Sequence, residues 1–321
     1  MNHRFVLVDV FADRPLAGNP LAVFPDAGSI PDELLQPIAR EMDHAATAFL
    51  SPSTIAGALF RLRIFSRERQ IDFAAHPALG AHFVHAIESN LPLRESVTSV
   101  AHEGHSGLVQ VDIRSEGGRI GMLRLRLKRP EMGRRLPAEQ VARVARALGL
   151  EEESLQAANQ PVKIASAGLP CLIVPVATRE ALAGARPRYG DLRDVAEPLG
   201  ATIVYAFTKE TRDPKAAAHA RAFDTIGATE LPGAGAAAGA LSAYLVAHAA
   251  VPVAPVTALA IEQGHAVGRP STLFVEVHVD ADKSAKKPRE SEDGTETRRL
   301  SIRGIYLGAR VIRVGAGELE L

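Results

Sequence analysis

Apolar and polar positions along the chain alternate between a period of two and a helical period, in short blocks. Residues 5–10 and 21–24 are β-rich runs joined by a turn-forming loop, Asp13-Arg-Pro-Leu-Ala-Gly-Asn-Pro20. Residues 31–42 carry Leu34, Leu35, Ile38 and Ala39 on one helical face, with Ser29 or Pro31 opening the helix. Residues 59–65 alternate Phe60, Leu62 and Ile64 with Arg61 and Arg63, the pattern of a sheet with one wet face. Residues 76–87 are helical and apolar nearly all round, which predicts a buried helix. Strands are expected at 108–113 and 122–127, an amphipathic helix at 137–148, strand material around a glycine turn at 164–176, and a strand at 203–207. A second small-residue apolar helix follows at 236–250, then strands at 273–279 and 302–314.

This order is strands, a buried helix, strands, a helix, strands, a second buried helix and strands. It predicts an α+β fold with mixed sheets rather than a regular βαβ alternation. The buried helices have similar lead-ins, Ile71-Asp-Phe-Ala-Ala-His-Pro-Ala-Leu-Gly80 and Thr229-Glu-Leu-Pro-Gly-Ala-Gly-Ala236. Each has a proline at the expected helix start and small residues around the first turn, so a degenerate two-fold repeat is expected, one copy per lobe. Residues 280–299 are almost entirely charged and polar and read as a mobile surface loop.

Composition narrows the function classes. The 321 residues, 46% hydrophobic, suffice for two domains, and 37 basic residues balance 37 acidic ones. That balance gives no electrostatic reason to expect nucleic acid or an anionic membrane as partner. The single cysteine, Cys171, excludes a disulfide framework, a cysteine zinc site and a two-cysteine epimerase, and its apolar strand setting makes it a core residue. The N-terminus reads as a strand rather than a signal peptide, and the cytoplasm is the default location. A protein that handles a small molecule is the expectation.

Candidate chemistry gathers at the two helix starts. The first turn of a helix offers unpaired N–H groups and the positive end of its dipole, and small residues let an anion approach. Ala74, Ala75 and His76 supply such a turn in lobe one, and residues 233–236 supply one in lobe two. Two such ends facing one cleft would hold a small carboxylic acid; the alternative is that small residues only let a helix pack tightly inside its sheet. Gly233-Ala-Gly-Ala-Ala-Ala-Gly239 loosely matches a dinucleotide fingerprint, but 228–232 is not a convincing strand, so the match is weak. His76 and His44 are candidates for acid–base work, whereas His82 and His85 read as packing or surface residues. No pair has the spacing of a helical zinc motif, so no metal is expected.

Five segments together resemble one known family. They are residues 8–24, Ile38-Ala-Arg-Glu-Met42, Phe73-Ala-Ala-His-Pro-Ala-Leu-Gly80, Gly235-Ala-Ala-Ala-Gly-Ala-Leu241 and Ile261-Glu-Gln-Gly-His-Ala-Val-Gly-Arg-Pro-Ser271. In this order they resemble the PhzF-like (phenazine-biosynthesis isomerase) family. The resemblance implies a diaminopimelate-epimerase-like fold of two pseudo-symmetric lobes, each a mixed sheet around a central helix. It assigns 1–127 plus 300–321 to one lobe and 128–299 to the other. It also implies a homodimer without cofactor that isomerises a small acid by a proton shift. The family's acid–base glutamate aligns with Ala46. Its Glu-Asp-Pro-x-Thr-Gly-Ser segment reads Glu230-Leu-Pro-Gly-Ala-Gly-Ala236 here, with Leu231 in place of the aspartate, and Ala75 replaces a glycine.

Alanine and leucine do not titrate, so the family's proton shift does not transfer directly. His76, His44 and Glu230 are the catalytic candidates, with Asp43, Asp72 and Asp224 as possible substitutes. Ala75, Gly233, Gly235, Ala236 and Asn19 are the substrate-binding candidates. A buried Glu230 would have its pKa raised by desolvation and could serve as an acid. The competing readings are a protein that binds a small acid without turnover and one that keeps the fold for assembly.

Overall fold

The computed structural model describes residues 2–280, 289–290, 296–297 and 301–321. The loop expected at 280–299 therefore lies largely outside the described residues. The chain divides into two compact units, residues 1–126 with 308–321, and residues 127–307. Residues 301–307, which the resemblance assigned to the first lobe, cluster with the second unit.

The first unit contains β1 (Asn2–Val10), β2 (Asn19–Phe24), α1 (Asp32–Met42), β3 (Thr47–Ser51), β4 (Arg61–Phe65), β5 (Gln70–Ile71), α2 (Ala75–Glu88), β6 (Ser96–Gly104), β7 (Gly107–Glu116) and β8 (Arg119–Arg126). The second contains β9 (Glu131–Arg135), α3 (Ala138–Leu148), α4 (Glu152–Gln156), β10 (Lys163–Ser166), β11 (Pro170–Pro175), α5 (Arg179–Gly184), α6 (Tyr189–Ala196), β12 (Ile203–Thr208), β13 (Ala218–Asp224), β14 (Thr229–Leu231), α7 (Gly235–Ala247), β15 (Val256–Gln263) and β16 (Ser271–Asp280). A short pairing of β17 (Arg289–Glu290) with β18 (Glu296–Thr297) precedes β19 (Ser301–Ala309), and β20 (Val311–Glu320) returns to pair with β1.

The expected repeat is visible in the strand pairings. In the first unit β1 pairs with β2 antiparallel, β2 with β3 parallel, β3 with β4 antiparallel, β4 with β6 parallel and β6 with β7 antiparallel. In the second, β10 and β11, β11 and β12, β12 and β13, β13 and β15, and β15 and β16 follow the same alternation. The short strands β5 and β14 each pair with the strand before them and lead into the buried helix.

In each unit the strands surround one buried helix. The strands β1, β2, β3, β4, β8 and β20 pack against α2, and β10, β11, β12, β15 and β16 pack against α7. Both helices are apolar on nearly every side, as buried helices must be. On the outer face of the first sheet, α1 packs Leu35, Ile38 and Ala39 over a stack of Phe24, Phe49 and Phe65. Strands β2 and β3 are covered on both faces and are buried almost throughout, which is why they read as continuous apolar runs rather than alternating ones. In the second unit α3 and α6 cover the outer face.

Strands β13 and β15 were not legible in the sequence. β13 is alanine-rich, and alanine carries little strand preference. The three-residue β14 does precede α7, but it belongs to an antiparallel pair rather than a βαβ unit, which removes the dinucleotide reading. Pro77 is the third residue of α2, whereas Pro232 lies before α7, outside it, so the two prolines are not equivalent.

Candidate functional site

The first unit builds its site at the N-terminus of α2. Ala74 is extended and caps the helix without a side-chain hydrogen bond. Ala75 and His76 therefore present the first-turn N–H groups that no helical carbonyl reaches. His76 as a residue keeps partial exposure, but its Nε2 is buried and has no hydrogen-bond partner among the described residues. Burial, and secondarily the nearby His44, pulls the His76 imidazole down to about 3, so it is neutral at physiological pH. His44 is half-buried in the turn after α1, close enough for its charge to bear on His76. The structure thus brings His44, Ala75 and His76 together.

Asn19 opens β2, which packs against α2, and its side chain is 1% exposed. The loop before it is tightly specified. Asp9 accepts the Leu16 N–H at 2.7 Å, and Gly18 adopts a φ of +67°, where a Cβ would lie 2.4 Å from the Val10 carbonyl oxygen. Only glycine fits there without strain. Ala46, at the family's glutamate position, is 1% exposed beside β3.

The second unit builds an equivalent turn at α7, where Ala234 caps the helix and Gly235 and Ala236 follow. Gly233 and Gly235 are buried. The residue that organises this turn is Gln263, which is fully buried. Its Oε1 accepts the Tyr205 hydroxyl at 2.8 Å and the Ala234 N–H at 3.2 Å, and its Nε2 donates to the Leu231 carbonyl at 2.7 Å. Next to it, Gly264 has a φ of +79°, and a Cβ there would lie 2.6 Å from the Pro232 carbonyl oxygen. In the sequence Gln263 stands inside the Gln-Gly…Gly-Arg-Pro-Ser run. A polar Glu-Gln pair closing the Ala-Leu-Ala-Ile run immediately before a glycine was the signal that could have singled it out.

The carboxylate candidates are all engaged elsewhere. Glu230 is held by an arginine: Arg221 Nε donates to its Oε1 at 3.0 Å and Arg221 Nη2 to its Oε2 at 2.7 Å, with both side chains 9% exposed. This two-point pairing occupies both Glu230 oxygens as acceptors. Asp43 ends α1 and accepts from Arg67 Nη1 at 2.9 Å. Asp224 closes its own turn on the N–H groups of Ile226 and Gly227. Asp72 is exposed, 3.8 Å from His105. Cys171 is buried, and burial pushes its thiol up to about 12, so it is a packing residue. Among the described residues no group of three or more His, Cys, Asp or Glu is placed to hold a metal ion, and no helix is long and apolar enough to cross a membrane.

Comparison with known proteins now decides the lineage. The sequence profile of the phenazine biosynthesis-like proteins, PhzC-PhzF, matches residues 8–291. The chain belongs to the PhzC-PhzF family. An uncharacterised isomerase of Mesorhizobium japonicum is 31% identical over 88% of this chain and 92% of its own length. The trans-2,3-dihydro-3-hydroxyanthranilate isomerase of Pseudomonas aeruginosa is 28% identical over 85% of this chain and 89% of its own. The crystal structure of a PhzF-family phenazine biosynthesis protein of Bacillus anthracis superposes with a TM-score of 0.84 at 22% identity, covering all of both chains. The fold is therefore the diaminopimelate-epimerase-like one that PhzF proteins share with proline racemases. The two positions at which the resemblance implies carboxylates hold Ala46 and Leu231 in this chain, and His76 lies in the first turn of α2.

Proposed function

We propose that this PhzF-family protein is a cofactor-free isomerase that moves a proton on a small carboxylic acid, with His76 as the base. The observation that supports this is the buried His76 Nε2, neutral and without a hydrogen-bond partner among the described residues, on the first turn of α2. By itself, a pKa of about 3 makes the imidazole a poor base. A substrate carboxylate received by the Ala75 and His76 N–H groups brings the counter-charge that burial withholds. The imidazolium then becomes accessible only while substrate is bound. His76 takes a proton from one substrate carbon and returns it to another, so the net change is an isomerisation. His44 is the second titratable group within reach. Gly233, Gly235 and Ala236 at α7 form a second anion-receptive turn in the other unit. A homodimer in the cytoplasm belongs to the same reading.

A second reading is favoured by Ala46, Leu231 and the paired Glu230: the protein captures a small acid without changing it. One experiment separates the two. A panel of small carboxylic acids is screened by thermal shift, and each hit is incubated in D2O and followed by NMR. Isomerisation predicts a raised Tm and deuterium incorporated at carbon, with His76→Asn slowing incorporation by about a hundredfold or more. A raised Tm with neither deuterium incorporation nor a new isomer in the spectrum supports capture alone. A panel without a single hit contradicts both.

A further inference from the structure

The second turn of α2 carries a histidine that the proposed chemistry does not use. His82 Nε2 lies 2.9 Å from His102 Nδ1 on β6, and the two side chains are 1% and 2% exposed. Phe60 covers both rings: it lies parallel to His102 with centroids 5.8 Å apart and tilted against His82 at 4.8 Å. A nitrogen–nitrogen contact of this length is a hydrogen bond, and it requires one ring to carry the bridging proton and the other to offer a lone pair. The structure also assigns the donor. His82 Nδ1 is buried without a partner among the described residues. If His82 accepted at Nε2, it would have to bury an orphaned Nδ1–H, and buried orphan donors are rarer than orphan acceptors. His82 Nε2–H therefore donates to His102 Nδ1.

Full protonation would destroy this bridge. Two imidazolium rings have no lone pair to share, and they would face each other inside an apolar pocket. Among the described residues the nearby charges are committed elsewhere. His85, on the same helix with its ring 5.0 Å from Phe60, adds only positive charge when protonated. Glu103 of β6 is taken by Ser53, Thr54 and Arg61 of β4. Asp112 of β7 is taken by Ser99 and Arg124 of β8. Glu88 at the end of α2 pairs with Arg4 of β1, Asp9 of β1 accepts the Leu16 N–H, and Glu318 of β20 accepts from Asn2. The other charge on β4, Arg63, pairs with Asp32.

We propose that His82 and His102 form a one-proton latch that ties α2 to β6, and that acidification opens it and loosens the helix whose first turn carries His76. The direction of the pKa values agrees: burial pulls His102 down to about 4, and burial together with His102 and His85 holds His82 well below its ordinary value.

The test is histidine-selective 15N NMR on the full chain, combined with amide hydrogen exchange, from pH 8 downward. The latch predicts one protonated nitrogen at the bridge, on His82 Nε2, and neutral rings at pH 7. It also predicts that bridge and α2 amide protection are lost together at a midpoint near pH 4 to 5. Either ring titrating near its ordinary value with α2 protection unchanged would overturn it. In a His102→Gln variant the amide oxygen can still accept from His82 without titrating. Loss of α2 protection should then move down by about one pH unit, and an unmoved midpoint would also overturn the latch. If that variant does not fold, the wild-type titration decides alone.

Discussion

Single residues set the terms of the site, and two of them do so by pairing rather than by chemistry. Arg221 reaches Glu230 with two nitrogens and also donates to the Leu182 and Ala185 carbonyls through Nη1. Removing one partner of a buried pair leaves an uncompensated charge. Arg221→Leu is expected to lower unfolding stability by about 3–5 kcal/mol in urea titration. Glu230→Gln should leave deuterium incorporation unchanged, because Glu230 supports β13 rather than the reaction. Gln263 acts similarly on the α7 lead-in. Gln263→Leu strands the Ala234 N–H, the Leu231 carbonyl and the Tyr205 hydroxyl inside the protein, with an expected loss of about 2–4 kcal/mol in the same measurement. His76 was singled out by residue type and its place at a helix start, whereas Ala46 and Leu231 were singled out only by the family resemblance. The Arg221 and Gln263 partnerships were not legible, because the fold and not the local pattern brings the partners together, across 9 residues for Arg221–Glu230 and 29 to 58 for Gln263.

Elements repeat this division between what is local and what is not. The amphipathic α1 and α3 and the two apolar helices were legible because periodicity is a local property and all four are long enough to display it. Helix starts were less legible, since Ala74 and Ala234 are caps imposed by packing with no side-chain cap to announce them. The buried helices depend on glycines at close approaches. A Cβ on Gly80 of α2 would lie 2.4 Å from Leu21 Cδ2 and 3.2 Å from Val10 Cγ2. On Gly239 of α7 it would lie 2.3 Å from Leu127 Cδ1. Gly80→Ala and Gly239→Ala each force a leucine to move inside a filled core, and each should cost about 1–3 kcal/mol of stability. Gly57, Gly184 and Gly190, with nothing within 4 Å of a Cβ, provide controls on the steric argument, and of these Gly184→Ala and Gly190→Ala should be near neutral.

The whole molecule inherits a pH dependence from its buried imidazoles. In the first unit His76, His82, His85 and His102 are all lowered, chiefly by burial, and in the second His219 and His265 are lowered for the same first reason. A lowered histidine stays neutral when folded but takes up a proton when unfolded once the pH drops below about 6.5. The unfolded state then binds more protons, so stability falls as pH falls through this window. His102 alone, down to about 4, accounts for about 3 kcal/mol of that loss by pH 4. Lowered carboxylates such as Glu88, Asp112 and Glu262 add a further loss below about pH 4.5. Urea titrations between pH 7 and pH 4 should show ΔG declining by more than one proton's worth per pH unit; a flat profile above pH 5 would contradict this. The repeated order of antiparallel and parallel strands places one apolar helix in each sheet, and that architecture is what buries these groups.

The central claim is that His76 is held neutral until an anionic ligand supplies its counter-charge. The most direct measurement is the NMR titration of the His76 imidazole, alone and with a carboxylic acid that raises the Tm. The account predicts a pKa of about 3 in the free protein, rising by at least about one unit with the acid bound. A His76 that titrates near 6.5 when free, or whose pKa ignores the bound acid, would contradict it.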